Sequence, residues 1–128
     1  MTDTTTTTPY ATHDETDSET TDAPFEGVYP AMTTPFTEDG RLDEDAYRHL
    51  VDRQLDAGVH GLVPCGTTGE APALEPEEWE TLVGIAVDAA GGRVPVVPGT
   101  GTNNTAKTVA RTRRARELGA DAALVVTP

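Results

Sequence analysis

The chain has 128 residues, with 22 acidic against nine basic side chains, a formal net charge of −13, and 36% hydrophobic residues. This balance argues against nucleic acid and anionic membrane surfaces as partners, because binding them requires clustered Lys and Arg. The single cysteine, Cys65, excludes an internal disulfide framework, and no apolar run approaches the roughly 20 residues of a membrane span. We therefore expect a cytoplasmic protein that uses no metal and no organic cofactor.

The first 24 residues differ in composition from the rest of the chain. They contain ten Thr and six Asp or Glu, with no Lys or Arg. Such a segment cannot bury enough apolar surface to offset its ordering entropy, so we predict a disordered acidic tail over residues 1–24. The predicted domain, residues 25–128, still has 16 acidic and nine basic side chains, a net charge of −7.

Four short apolar runs follow the tail, at residues 28–32, 61–65, 94–97 and 122–126. They are nearly continuous rather than alternating, which is typical of strands buried on both faces of a parallel sheet. Pro30, Pro64 and Pro95 lack the N–H that a central strand donates, so the runs do not define where each strand begins and ends.

Three helices are predicted between these runs. Helical spacing of apolar residues predicts the first over 43–57, and the second up to Ala90, with Pro76 in its first turn. The third is predicted over 105–118, opened by Asn104 and stopped by Gly119, and its five basic residues are interpreted as a solvated face. The inward residues are expected to be Ala46, Leu50, Val51 and Leu55 in the first helix and Trp79, Leu82, Val83, Ala86, Val87 and Ala90 in the second.

Strand, loop and helix thus alternate at a spacing of about thirty residues. Right-handed connections make such a chain a parallel α/β fold, either an open doubly wound sheet or a (β/α)8 barrel. A complete barrel needs about 250 residues. Residues 25–128 suffice for only three to four units, so the sequence predicts a small open sheet or the first half of a barrel.

The loops after the predicted strands are rich in hydroxyl groups. These loops begin at Thr33, Gly66, Gly99 and Thr127, and they should all lie at one edge of the sheet. In the second loop, residues 66–70, two glycines would allow a tight turn that presents N–H groups and two threonine hydroxyls to a carboxylate or phosphate. A turn that only caps the next helix is an equally good interpretation.

Other chemical motifs are weak or missing. The glycines at 99 and 101 lack the third glycine of a dinucleotide loop, and no P-loop motif occurs. The three histidines are scattered along the chain, so a zinc site is not predicted. Cys65 is interpreted as a small packed residue rather than a nucleophile.

Residues 25–128 resemble the N-terminal part of the dihydrodipicolinate synthase and N-acetylneuraminate lyase family of class I aldolases. Five segments occur in family order and at family spacing, and the loop Gly66–Glu70 is the most specific of them. The other segments are Val28–Phe36, Pro95–Gly101, Asn103–Thr105 and Ala120–Pro128. The resemblance implies the N-terminal half, about four β/α units, of a (β/α)8 TIM barrel that is truncated after its fourth strand.

The resemblance also implies an enzyme, usually a homotetramer, that condenses or cleaves pyruvate with an aldehyde through a Schiff base. In the synthase branch the aldehyde is L-aspartate 4-semialdehyde, and the product enters diaminopimelate and lysine biosynthesis. Thr68 matches the threonine that holds the pyruvate carboxylate, and Thr67 matches the threonine that passes a proton between two tyrosines. Two adjacent threonines favour the synthase over the neuraminate lyases, which more often have serine first.

In the family, a Tyr-Tyr-Asn segment, a second catalytic tyrosine, a substrate-binding arginine and the Schiff-base lysine follow the position of Pro128. The only lysine here, Lys107, is interpreted as a surface residue, so these 128 residues alone are expected to be inactive. Two alternatives remain open. One is a pyruvate-releasing sugar-acid aldolase of the 2-keto-3-deoxy acid or N-acetylneuraminate type, and the other is a non-catalytic half-barrel that binds or assembles.

Overall fold

Three α-helices alternate with four extended segments in residues 25–127, the part of the chain that the computed structural model describes. The helices are α1 (Glu44–Asp56), α2 (Pro76–Ala90) and α3 (Thr105–Glu117), and a short 3₁₀ turn, Ala71–Ala73, precedes α2. The predicted acidic tail, residues 1–24, and Pro128 lie outside the described residues. Within residues 25–127, no helix combines the length and the apolar character that crossing a membrane requires.

The helices begin where the sequence predicts, because polar side chains cap their free N–H groups. The Asp43 carboxylate accepts a hydrogen bond from the N–H of Ala46 at 2.9 Å, and the Asn104 side chain accepts one from the N–H of Lys107 at 3.0 Å. In α2, which begins at a proline, the carboxylate of Glu78 accepts from the N–H of Glu75 at 2.9 Å. These local contacts confirm the three predicted helices to within one residue at each capped end.

The first to fourth extended segments, which contain the apolar runs 28–32, 61–65, 94–97 and 122–126, pair in parallel and in chain order. Single bridges join Ala31 to Val63, Leu62 to Val96 and Gly99 to Leu124. Longer ladders do not form within residues 25–127. The parallel arrangement agrees with the prediction, while the pairing is shorter than the four apolar runs suggested.

Prolines limit the number of hydrogen bonds that the extended segments form with one another. Pro30, Pro64, Pro95 and Pro98 each accept a hydrogen bond through the carbonyl oxygen from an N–H of a neighbouring segment, at 2.9–3.1 Å. A proline has no N–H to donate, so pairing at these positions uses only the carbonyl. The four prolines therefore leave enough hydrogen bonds to align the segments, but too few to form a continuous ladder.

The core lies between the extended segments and the helices α1 and α2. Trp79, Leu82, Val83, Ala86 and Ala90 of α2 are buried, as their spacing predicts. The second and third segments contribute buried aliphatic side chains to the same cluster. Burial of this apolar surface is the main term that stabilises the unit.

The inward face of α1 is centred on a residue that the sequence pattern did not single out. Tyr47 and Val51 are buried, while Ala46, Leu50 and Leu55, which were expected to face inward, are only partly buried. Residues four apart share one face of a helix, so Tyr47 and Val51 form a pair. The large tyrosine ring fills the core where the smaller Ala46 was expected.

The fourth segment departs from its prediction. Leu124, Val125 and Val126 are 44–53% exposed, although a near-continuous apolar run was expected to be buried on both faces. The reason is geometric, since this segment pairs on one side with the third segment and no further strand of residues 25–127 pairs on its other side. A contiguous apolar edge is left in contact with solvent.

We expect Tyr47→Phe to raise the free energy of unfolding by about 1 kcal/mol. The Tyr47 hydroxyl is buried without a hydrogen-bond partner in residues 25–127, and its removal leaves the ring packing intact. Urea unfolding of both proteins at equal concentration measures the change. Tyr29→Phe, at a half-buried position, is the control and should leave the midpoint where it is. A lower midpoint for Tyr47→Phe would contradict the expectation.

Candidate functional site

The loop after the second segment is held against the end of the first. The Thr34 hydroxyl donates to the carbonyl oxygen of Gly69 at 2.7 Å, and this hydrogen bond is buried. A Cβ atom on Gly69 would lie 2.9 Å from the carbonyl oxygen of Met32 and 3.2 Å from the nitrogen of Cys65. Glycine at position 69 therefore permits a close backbone approach that anchors residues 66–70.

The third segment braces the same loop from the other side. The N–H of Gly99 donates to the carbonyl oxygen of Pro64 at 2.9 Å, and the indole N–H of Trp79 donates to the carbonyl oxygen of Gly99 at 2.9 Å. A Cβ on Gly99 would lie 2.1 Å from the carbonyl oxygen of Cys65. No local sequence pattern indicates this role of Gly99, because its contacts are to residues 20 or more positions away.

The turn itself is closed by three backbone hydrogen bonds. The N–H groups of Gly69 and Ala71 donate to the carbonyl oxygen of Gly66, and that of Glu70 donates to Thr67. Left-handed backbone conformations occur at Cys65 (φ 57°) and Glu70 (φ 59°), and not at the two glycines where the tight turn was expected. Because non-glycine residues rarely adopt the left-handed conformation, Cys65 and Glu70 mark the turn as locally strained.

Thr67 and Thr68 lie at the exposed tip of this turn. The N–H groups that follow them are used to close the turn, whereas those of Thr67 and Thr68 make no hydrogen bond within residues 25–127. Two hydroxyls and two N–H groups are therefore available to a ligand on a backbone that is held from both sides. Such a set of donors suits a small carboxylate.

Most other hydroxyls in the predicted loops are engaged in structure. Thr100 is fully buried, and its hydroxyl hydrogen bonds to that of Thr112 at 2.8 Å. The Thr102 hydroxyl accepts from the N–H of Asn104 at 3.0 Å and lies 3.2 Å from the Thr108 hydroxyl. The hydroxyl-rich third loop therefore attaches α3 to the sheet, and the set of candidate ligand-binding threonines is smaller than the sequence suggested.

Cys65 is a packing residue in this structure, as interpreted from the sequence. Its side chain is 1% exposed, and burial raises the pKa of its thiol to about 12, although Arg111 acts in the opposite direction. The thiol therefore stays protonated near neutral pH and is a poor nucleophile. Cys65 positions the turn through its backbone rather than through its sulfur.

Residues 25–127 contain no group of three or more His, Cys, Asp or Glu side chains that could hold a metal ion. The Nδ1 atom of His60 accepts from the N–H of Val28 at 2.8 Å, which ties the first segment to the second. Lys107 lies exposed in the first turn of α3 and lines a cavity of about 520 Å³ that contains neither Thr67 nor Thr68.

Sequence comparison identifies relatives of this chain. Residues 24–128 match the model of the Dihydrodipicolinate synthetase family. The chain is 54% identical over 107 residues to a 4-hydroxy-tetrahydrodipicolinate synthase of Phenylobacterium zucineum (strain HLK1), across 84% of this chain and 36% of that protein. It is 53% identical over 104 residues to a protein of the same name from Salinibacter ruber, across 81% of this chain and 34% of that protein.

Solved structures agree with the sequence relatives. Dihydrodipicolinate synthase from Aquifex aeolicus superposes with a TM-score of 0.77 at 45% identity, over 81% of this chain and 35% of that one. YagE, a prophage protein of E. coli K12 that belongs to the dihydrodipicolinic acid synthase family and was solved in complex with pyruvate, superposes with a TM-score of 0.78 at 39% identity, over 83% and 36%.

The turn at residues 66–70 lies within the part of the chain that matches these relatives. The chain spans about one third of the length of the curated relatives that it matches. The match takes in all of the extended segments and helices described above. By its sequence and by its backbone, the chain belongs to the dihydrodipicolinate synthetase family.

Proposed function

We propose that the complete protein is a 4-hydroxy-tetrahydrodipicolinate synthase, a lyase that condenses pyruvate with L-aspartate 4-semialdehyde through a Schiff base. The product would enter diaminopimelate and lysine biosynthesis. The observation that carries the proposal is the braced turn Gly66–Glu70, which leaves the donors of Thr67 and Thr68 accessible. The names of the curated relatives support the same reaction.

Thr68 is the proposed anchor for the pyruvate carboxylate. Its N–H and hydroxyl lie on an exposed turn, and both can donate to a carboxylate oxygen. Hydrogen bonds to a charged acceptor are about twice as strong as neutral ones, so two donors on a rigid turn suffice to orient a small keto acid. The hydrogen bond between Thr34 and Gly69 limits the movement of the turn when the ligand binds.

Thr67 is the proposed proton relay. A hydroxyl can accept one proton while it donates another, so it passes protons only between two groups that titrate or hydrogen bond on either side. In the family, the two tyrosines of this relay follow the position of Pro128. Thr67 therefore contributes one link, and the complete protein supplies the others together with the Schiff-base lysine.

The family resemblance and the parallel pairing in chain order support a (β/α)8 barrel for the complete protein, of which these residues supply four extended segments and three helices. In a closed barrel, a further strand would pair beside the fourth segment, and Leu124, Val125 and Val126 would be covered. We further propose that the complete protein is a homotetramer in the cytoplasm.

We expect a polypeptide of only these 128 residues to self-associate. The exposed apolar segment 124–126 presents both unpaired backbone groups and side chains that favour burial. Analytical ultracentrifugation at several concentrations tests this expectation. Val125→Lys with Leu124→Lys should shift the distribution towards monomer, whereas Val109→Lys, at another exposed apolar position, should not. A sharp cooperative melt of a monodisperse unmodified monomer would contradict the half-barrel.

The steady-state kinetics of the complete protein test the proposed roles. Thr68→Val should raise the KM for pyruvate at least about tenfold, because it removes a charge-assisted hydrogen bond. Thr67→Val should lower kcat at least about a hundredfold with little change in the KM for pyruvate, because it interrupts proton transfer. The matched control is Thr105→Val at the exposed start of α3, which should retain full activity.

Two results of these assays would reject the proposal. An undiminished rate for Thr67→Val would exclude the relay. Cleavage of a sugar acid to pyruvate, without condensation of pyruvate and L-aspartate 4-semialdehyde, would assign the protein to the aldolase alternative.

A further inference from the structure

The first extended segment buries every second side chain near its C-terminal end. Met32 is 2% exposed and Thr34 is 7% exposed, whereas Ala31 and Thr33 are exposed. Successive side chains of an extended segment point to opposite faces, so Ala31 and Thr33 share one face. Met32 belongs to the core cluster that includes α1 and α2, and Thr33 therefore lies on the face opposite to this core.

The neighbouring segments continue this face, which we call the open face, and they contribute apolar side chains to it. Val63 pairs in parallel with Ala31 and is half-buried, as is Val97 of the third segment, whereas the residue before each valine is buried in the core. The hydroxyl of Thr33 thus lies at the C-terminal edge of an otherwise aliphatic surface. A closed (β/α)8 barrel encloses this face, because its helices cover the other one.

The Thr33 hydroxyl forms no hydrogen bond with any group of residues 25–127, in contrast to that of Thr34. Valine has nearly the same shape and needs no hydrogen-bond partner, so packing alone gives no reason for a threonine at position 33. A hydroxyl that is enclosed without a partner costs free energy. We therefore looked for the polar group that this hydroxyl can meet at the edge of the open face.

Both chain neighbours of Thr33 contact Gly69, the residue that follows Thr68. The carbonyl oxygen of Met32, which belongs to the peptide group that joins Met32 to Thr33, would lie 2.9 Å from a Cβ on Gly69. On the other side, the Thr34 hydroxyl donates to the carbonyl oxygen of Gly69 at 2.7 Å. Thr33 is thus fixed beside the turn that carries Thr68, at the same edge of the sheet.

We propose that the Thr33 hydroxyl donates a hydrogen bond to the keto oxygen of bound pyruvate. This inference rests on the proposed function, in which Thr68 holds the carboxylate. The keto carbon is bonded directly to the carboxylate carbon, so a donor beside the carboxylate site is well placed to meet the keto oxygen. An amine from the rest of the barrel would approach from the same open face, because inward side chains fill the barrel interior.

A donor at the keto oxygen favours formation of the Schiff base. The amine nitrogen bonds to the keto carbon while an electron pair of the C=O bond moves to the oxygen, and this oxygen then leaves as water with the two protons of the amine. Negative charge develops on the oxygen during the addition, and a positioned hydroxyl stabilises that charge. Thr33 keeps its own proton and acts only as a hydrogen-bond donor.

Rapid-quench borohydride trapping on the complete protein, with pyruvate and without an aldehyde, tests the proposal. Thr33→Val should lower the rate of adduct formation at saturating pyruvate at least about tenfold, with less than about a twofold change in the pyruvate concentration that gives half of the maximal rate. Thr33→Ser keeps the hydroxyl and should recover most of the rate. Thr68→Val should instead raise the pyruvate requirement, because it removes a contact to the carboxylate.

Equilibrium unfolding distinguishes a role of Thr33 in the site from a role in folding. Thr33→Val should not lower the unfolding midpoint, because it keeps the shape of the side chain and removes a hydroxyl without a partner in residues 25–127. The matched control is Thr105→Val, at the exposed start of α3, which should keep both the midpoint and the rate of adduct formation.

Three outcomes would overturn the inference. An unchanged rate in Thr33→Val, or a rate that Thr33→Ser fails to restore, would exclude the contact and leave the Schiff-base reaction in place. A higher pyruvate requirement as the only effect of Thr33→Val would assign the hydroxyl to the carboxylate instead. The absence of any trapped adduct in the unmodified complete protein would reject the proposed function itself.

Discussion

A polypeptide of these 128 residues is expected to form no adduct with pyruvate that borohydride can trap on a side chain, and to show no synthase or aldolase turnover. A Schiff base requires an unprotonated amine that points at the keto carbon. Lys107 is the only lysine, it lies exposed in the first turn of α3, and its cavity does not include Thr67 or Thr68. The covalent step therefore has no amine at the proposed carboxylate site.

Mass spectrometry after borohydride reduction measures this directly. The complete protein is the positive control and should gain one reduced pyruvate on a lysine that follows this segment in the chain. Peptide mapping separates a side-chain adduct from one on the α-amino group of Met1. An adduct on Lys107 that accompanies turnover, and that Lys107→Arg abolishes, would contradict our expectation that the catalytic lysine lies outside these 128 residues.

The second large effect is structural, and it concerns Gly99. We expect Gly99→Ala to lower the free energy of unfolding by at least about 3 kcal/mol. The new Cβ would lie 2.1 Å from the carbonyl oxygen of Cys65, 2.8 Å from its carbonyl carbon and 3.0 Å from the Cα of Gly66. All three atoms are backbone, so no side chain can rotate away, and the second and third segments must separate.

The same separation should affect the proposed site, because Cys65 and Gly66 lead directly into Thr67 and Thr68. In the complete protein, we expect Gly99→Ala to raise the KM for pyruvate as well as to lower the unfolding midpoint. The matched control is Gly84→Ala, where the added Cβ meets no heavy atom within 4 Å in the interior of α2. That change should stabilise the protein by about 0.5–1 kcal/mol, because alanine favours a helix over glycine. Equal stabilities for the two variants would refute the close approach at Gly99.

The helices could be predicted from the sequence because the signals that define them are local. Asp43 and Asn104 each cap an N–H three residues ahead, and apolar residues from Trp79 to Ala90 recur at helical spacing. The burial of Tyr47 in place of Ala46 is different. Both residues fit an inward-facing stripe of α1 to within one position, and only packing against the sheet and α2 decides which side chain fills the core.

The parallel order of the segments could also be predicted from the sequence, since alternating strand and helix patterns restrict the possible connections. The hydrogen-bond pairing between the segments could not be predicted. Four prolines enter the sheet through their carbonyl oxygens, and this requires a partner N–H at the matching position of a neighbouring segment. Such a match depends on register, which the sequence of one segment does not contain.

The sequence by itself determined the three helices and the parallel α/β class, because each rests on composition or on contacts spanning a few residues. The acidic tail over residues 1–24 and the ligand-binding role of the Gly66–Glu70 loop stay predictions. Only the tertiary structure decided which loop hydroxyls remain accessible. Thr100 is buried against Thr112, while Thr67 and Thr68 stay exposed. Only the fold shows that Gly99 must be glycine, since its neighbour Cys65 is 34 residues away in the chain and 2.1 Å from an added Cβ. Contacts of this kind arise when distant segments pack together, and no local pattern of residues encodes them.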